Sequence, residues 1–163
     1  MAKLVVAQGP LDQTIHENIV TIELEASHRS YLFPDLSADI DLTCTVTAGT
    51  SKAFGAWAEL TDSGANKLST IAEDNDLHIT ALRVRATSVA DKLYVLEIGC
   101  GPSVDDIICI DPHDFGSGTK HIDSDEHSRF RPHAIQQGLK AYGRLKCETD
   151  SATATIVLRY HYD

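Results

Sequence analysis

The C-terminal stretch Ser151-Ala152-Thr153-Ala154-Thr155-Ile156-Val157-Leu158-Arg159-Tyr160-His161-Tyr162-Asp163 decides the fold class. Ala152, Ala154, Ile156, Leu158, Tyr160 and Tyr162 share one parity; Thr153, Thr155, Val157, Arg159 and His161 share the other. Successive side chains on a strand point to opposite faces, so this pattern predicts a strand with one buried and one wet face. Just upstream, Leu139, Ala141, Leu145 and Cys147 alternate with Lys140, Tyr142, Arg144 and Lys146. Only Glu148-Thr149-Asp150-Ser151 connects the two segments, so they are expected to form an antiparallel hairpin.

The same period recurs toward the N-terminus. Val20, Ile22, Leu24 and Ala26 alternate with polar residues, as do Ile40, Leu42, Cys44 and Val46 within Asp39 to Thr47. The threonines between them suit a pleated surface better than a helix. Gly55 to Thr61 is a further expected strand and carries the single tryptophan, Trp57, read as a core residue. In Leu77 to Ala86 the apolar parity switches from Leu77, Ile79 and Ala81 to Leu82, Val84 and Ala86. One extra residue produces such a switch, which predicts a β-bulge near Ala81–Leu82; a strand buried on both faces is the alternative. Leu93 to Gly99 reads as buried on both sides, and Ile107 to Ile110 as a short apolar strand. Ser69 to Asp74 and His133 to Gly138 each have room for one helical turn.

A chain of 163 residues is the size of one domain, taken as residues 1–163. About eight short strands in it imply an all-β, two-layer sandwich, jelly-roll-like or a related barrel. The region around 99–132, with Gly101-Pro102, Asp111-Pro112 and Gly116-Ser117-Gly118, is expected to be one long polar loop. The net charge is −10, which disfavours direct partnership with nucleic acid or an anionic membrane surface. No apolar run reaches the ~18 residues of a membrane-spanning helix. The first residues lack the apolar core of a signal peptide, so the chain is expected to stay in the cytosol where it is made. Cys44, Cys100, Cys109 and Cys147 form no C-x-x-C pair and sit in or beside apolar stretches. Four reduced, core-packed thiols are the expectation, against a pair of disulfides or a zinc site.

The sharpest candidate for chemistry lies between Asp111 and His127. It holds His113, His121 and His127 with Asp111, Asp114, Asp123, Asp125 and Glu126. Imidazole and carboxylate ligate zinc, iron or manganese, and His121 and Asp123 share a side of an extended segment. A further histidine would close the set. The spacing matches no zinc-protease or calcium-loop pattern, since Asp123-Ser124-Asp125 lacks the later Gly and Glu. A solvated loop is the plainer reading, and a pH-responsive surface a second one. There is no G-x-S-x-G, and Gly99-Cys100-Gly101-Pro102 lacks the Lys-Ser or Lys-Thr of a phosphate loop. The expectation is therefore no catalytic, cofactor-binding or metal residue and no cofactor.

Charge is uneven: residues through Ala81 carry 4 basic and 12 acidic side chains, and those from Leu82 onward 10 and 12. Arg83 with Arg85, and Arg129 with Arg131, fall at strand-face spacing. They read as solvated or internally paired; otherwise, as a basic patch that meets an acidic patch on another copy. Tyr160 and Tyr162 are expected to cover the core edge or anchor a subunit contact.

Several segments resemble small all-β virion proteins of tailed bacteriophages, of the head decoration or cement type. They are Gly55-Ala56-Trp57-Ala58-Glu59-Leu60, Asp91 through Gly99, Ala134-Ile135-Gln136-Gln137, and Lys146 through Thr155 with Tyr160-His161-Tyr162. The resemblance covers roughly a third of the chain, mostly after Gly55, and brings no catalytic motif. It implies a structural, non-enzymatic protein of the virion, made in the host cytoplasm. Such a protein binds the major capsid protein at lattice points and self-associates, with a homotrimer as the expected form. The alternatives are a carbohydrate-binding β-sandwich using exposed Trp57 or tyrosines, and a metal-dependent enzyme using His121, Asp123 and a further histidine.

Overall fold

In the computed structural model, residues 30–120 and 132–162 are described. They hold eight strands and one short helix: β1 Tyr31–Phe33, β2 Cys44–Thr47, β3 Ala58–Glu59, α1 Leu68–Ile71, β4 Leu77–Thr87, β5 Leu93–Gly101, β6 Cys109–Gly116, β7 Lys140–Cys147 and β8 Thr153–Tyr162. The expected strand over Ile19 to Ala26 lies outside the described residues.

Two antiparallel sheets pack face to face, and neither closes into a barrel. In the first sheet β8 is central. Its outer half pairs with β1 and its inner half with β2, while β4 runs along its other side. The second sheet has the order β3-β7-β5-β6. Leu77 and Ile135 exchange both backbone hydrogen bonds at 2.9 Å, so the segment after the second sheet's edge strand returns to the far side of β4. Split β1/β2, then β8, β4 and the Ile135 bridge, opposed to β3-β7-β5-β6, is the double Greek-key winding of a jelly roll.

Periodicity reads the core-facing sets of β8 and β7, but Val157 and Tyr142, expected on the wet faces, are buried too, and Tyr162, expected on the apolar face, is exposed. Ala154, Ile156 and Leu158 on β8, and Ala141, Leu145 and Cys147 on β7, are all at most 2% exposed. Their pairing differs from the expected hairpin, because β7 and β8 belong to different sheets. Ser151, at φ 52°, turns the chain across the layers. Its N–H donates to the Gly49 carbonyl, and Ala152 O accepts from Ala48 N. The two apolar faces thus oppose each other across one core, joined by Leu60, Leu68, Leu77, Tyr94, Leu96 and Ile98.

The parity switch in β4 is a bulge. The register passes from Ile79↔Tyr160 to Ala81↔Arg159, leaving Thr80 without a partner residue. A second shift between Val84 and Ala86 restores the first parity. The strand expected over Asp39 to Thr47 begins only at Cys44. Before it, Asp35 Oδ1 accepts from Ser37 N and Oγ, and Asp39 Oδ1 accepts from Asp41 N at 2.9 Å. Such side-chain turns compete with a sheet ladder and hold this segment as a loop. Ile40 is left 69% exposed at its tip. The strand expected over Gly55 to Thr61 is reduced to Ala58–Glu59. Leu93 is exposed and Val95 only half-buried, so the expected two-sided burial of that strand is not met.

The expected long loop over 99–132 is largely a hairpin. β5 continues to Gly101, and β6 pairs with it from Cys109↔Cys100 to Gly116↔Leu93. Facing residues Cys100 and Cys109, with Cα atoms 5.3 Å apart, form a disulfide, contrary to the expectation of four reduced thiols. Sequence spacing gave no sign of it, because only the β5–β6 register sets the two side by side. Cys44 and Cys147 are free and buried, as expected of core thiols.

Candidate functional site

The outer face of the β3-β7-β5-β6 sheet carries the densest assembly of polar and aromatic groups. Inner parity on β7 belongs to the core, so Lys140, Tyr142, Arg144 and Lys146 point outward. Glu97 lies opposite Arg144, and Gly99 opposite Tyr142. Arg144 Nε donates to Glu97 Oε2 at 2.6 Å. The same guanidinium lies 4.5 Å from the centroid of Phe54 and 4.3 Å from that of Trp57. Gly99 makes room for this arrangement: a Cβ there would stand 3.0 Å from Cη2 of Trp57 and 2.9 Å from Cγ2 of Ile107. Trp57 is therefore half-buried on the outside of the sandwich and does not sit in the core as expected.

Around this centre the charges are mostly paired. Lys67 Nζ donates to Glu59 Oε2 at 2.8 Å. Burial pushes the Glu59 carboxyl up, but hydrogen bonds from Lys67 and Ser69 and the charges of Lys67 and Lys140 outweigh it and hold it below its usual range. Burial raises the Tyr142 hydroxyl. At the rim, Val104, Ile108 and Ile110 are 44%, 62% and 43% exposed. Ile110 flanks Gly99 on edge strand β6. Exposed apolar side chains on and before the last strand of a sheet, which has no further partner strand among the described residues, are the usual makings of a docking surface.

A second feature is a groove of about 550 Å³ at the edge of the sandwich. Phe33, Ile71 and Tyr160 line it together with Asp35, Asp62 and Lys67. Asp62 accepts from Gly64 N at 2.9 Å and Asn66 N at 2.8 Å, so its own turn satisfies it. Lys67 is held by Glu59. Burial, followed by the charge of Tyr162, Asp35 and Tyr31, lifts the Tyr160 hydroxyl to about 12. This cleft is an apolar recess with polar groups engaged by their own chain.

The residues singled out by sequence are dispersed. Asp111, His113 and Asp114 lie on β6. Asp111 Oδ1 meets His133 Nδ1 at 2.8 Å, and its Oδ2 accepts from His133 N at 2.9 Å. His121, Asp123, Asp125, Glu126 and His127 lie outside the described residues, as do Arg129 and Arg131. Among the described residues no three His, Cys, Asp or Glu side chains are arranged to hold a metal ion. Arg83 and Arg85 are exposed. Arg85 Nη1 reaches from β4 to the carbonyls of Ile40 and Leu42 at 3.3 and 3.5 Å, so it braces this chain's own loop. Tyr31 stacks between Tyr160 and Tyr162, with centroids 5.7 and 5.1 Å away. His78 and His161 stack at 5.0 Å on the outer side of the same sheet.

Sequence reasoning placed Arg144 on a wet face but missed its partners. Phe54 and Trp57 come from the segment before β3 and Glu97 from β5, and only cross-strand register brings them together. No protein-family model, curated protein or solved structure matches this chain.

Proposed function

We propose that this chain is a structural, non-enzymatic protein of the tailed-phage virion, of the head decoration type, that docks on the major capsid protein and self-associates. The observation that carries the reading is the exposed apolar group Val104, Ile108 and Ile110 on and before edge strand β6. The jelly-roll winding is compatible with it, because virion proteins use this architecture, but so do lectins. Trp57 separates the two. A sugar-binding platform presents an open aromatic face, whereas here the Arg144 guanidinium stacks on the indole. The resemblance of the β3, β5 and β8 segments to head decoration proteins supplies the biological setting.

The test mixes the purified full chain with undecorated phage capsids and sediments the particles. Saturable co-sedimentation is expected, and Ile108→Glu with Ile110→Glu lowers it at least roughly tenfold. Absence of co-sedimentation by the folded wild-type chain overturns the reading. Quenching of Trp57 fluorescence that responds to added sugars favours the carbohydrate-binding alternative.

A further inference from the structure

Ile40 is the most exposed of the large apolar side chains in the described residues, and its surroundings are unusual. It stands between Asp39 and Asp41, and Asp35 lies on the same loop; all three carboxylates are exposed and the loop carries no basic residue. The loop is nevertheless well held. Side-chain turns at Asp35 and Asp39 fix its backbone, and Arg85 braces the carbonyls of Ile40 and Leu42. An apolar knob presented on a pre-ordered acidic loop loses little entropy on binding.

A fitting surface exists on the opposite side of the same chain. The outward row of β7 sets Lys140 and Lys146 on either side of Arg144, with Phe54, Trp57 and Tyr142 between and beside them. Arg144 is neutralised by Glu97, but no carboxylate among the described residues makes an ion pair with Lys140 or Lys146. Lys146 Nζ lies 5.5 Å from the Phe54 centroid. In a chain of net charge −10, two ammonium groups with no ion-pair partner among the described residues, flanking an aromatic patch, complement an acidic loop with an apolar tip. The other basic face, bearing Arg83 and Arg159, is the poorer acceptor. Its own copy of the acidic loop is braced to it through Arg85, so a second acidic loop meets like charge there.

We infer that the Asp35–Leu42 loop of one copy docks through Ile40, Asp39 and Asp41 on the Lys140–Arg144–Lys146 face of a second copy. Loop and face lie on different sheets, so the contact is heterologous and propagates head to tail into a ring or a chain. It specifies the surface behind the self-association proposed above, and it is read without capsids, so its failure is distinct from failure of capsid docking.

The experiment is sedimentation equilibrium of the full chain at tens to hundreds of micromolar, at low and high salt. Wild type is expected to associate, and to do so less at high salt as the charges are screened. Asp39→Lys with Asp41→Lys, and separately Lys140→Glu with Lys146→Glu, each weaken association at least roughly tenfold. Asp39, Asp41 and Lys140 are exposed and Lys146 is half-buried, and circular dichroism confirms that each variant is folded. An equimolar mixture of the two variants regains association, because every loop then meets a face of opposite charge. A monomeric wild type at low salt, variants that associate like wild type, or a mixture that stays dissociated overturns the inference.

Discussion

Replacing Arg144 by alanine tests the construction of the outer face most directly. The guanidinium makes a charge-assisted hydrogen bond to Glu97 at 2.6 Å and stacks against Phe54 and Trp57. Two cation–aromatic contacts at a partly exposed site contribute about 0.5–1 kcal/mol each. The ion pair, with side chains 26% and 14% exposed, adds about 1 kcal/mol after solvent screening. The expected loss is therefore about 2–3 kcal/mol, or roughly 5–10 °C in Tm for a domain of this size. Urea unfolding measures the free energy, and Trp57, the single tryptophan, reports the local change. Arg144→Ala uncovers one side of the indole, so acrylamide quenching rises. Lysine at this position keeps the charge but loses the planar group that stacks and the fixed hydrogen-bond geometry, so it recovers less than half of the loss. Stability within 0.5 kcal/mol of wild type, together with unchanged quenching, refutes the stacked arrangement.

Three further outcomes follow from the fold. Deleting Thr80 removes the extra residue and leaves Leu77, Ile79, Leu82 and Val84 on the core face of an unbroken ladder, so the expected change in urea unfolding is under about 2 kcal/mol; a loss of about 3–6 kcal/mol, the cost of turning two core side chains outward, contradicts the register. Alkylation in denaturant without reductant modifies two cysteines, and after reduction four; four at the outset excludes the Cys100–Cys109 bridge. Burial, then the neighbouring Asp62 charge, pushes the Cys44 thiol from 9.0 to about 12. The unfolded chain therefore binds fewer protons between those values, and stability falls as pH rises through that window, by up to about 4 kcal/mol. Cys44→Ala flattens this part of the pH profile, and an unchanged slope rejects the assignment.

Side-chain parity made the faces of the strands legible. Ala154, Ile156 and Leu158, or Ala141 and Leu145, had to share a side, and burying both sets requires two layers. Parity also located the bulge to within a residue, because an inserted residue is the only local way to exchange the two faces of a strand. It carries no information on which strand pairs with which. A short connection such as Glu148 to Ser151 serves a hairpin or a crossing between sheets equally well. What selects the crossing is the capture of Ser151 N and Ala152 O by Gly49 and Ala48, about a hundred residues away in sequence. The second bulge was hidden for a different reason: Ala86 and Thr87 are both small and tolerate either face, so their parity is silent.

The outer-face assembly was illegible on the same ground. Trp57 between two alanines on an expected strand reads as core, since large aromatic rings are normally buried. Its true position depends on Gly99, forty-two residues later, whose missing side chain leaves a shallow recess on the sheet surface. Only the β5–β7 and β3–β7 registers together set that recess beside the ring and Arg144 above it. The same logic explains Ile40. Its alternation with Leu42, Cys44 and Val46 is real, but Asp39 and Asp35 offer the backbone nearby acceptors that outcompete a ladder before Cys44. Local side-chain turns thus detach an apolar residue from the core-facing pattern and leave it in solvent. Exposed at 69% on a braced loop, it loses roughly 1.5–3 kcal/mol of burial that a partner surface can restore, and the lysine-flanked face of β7 has the charge to receive it.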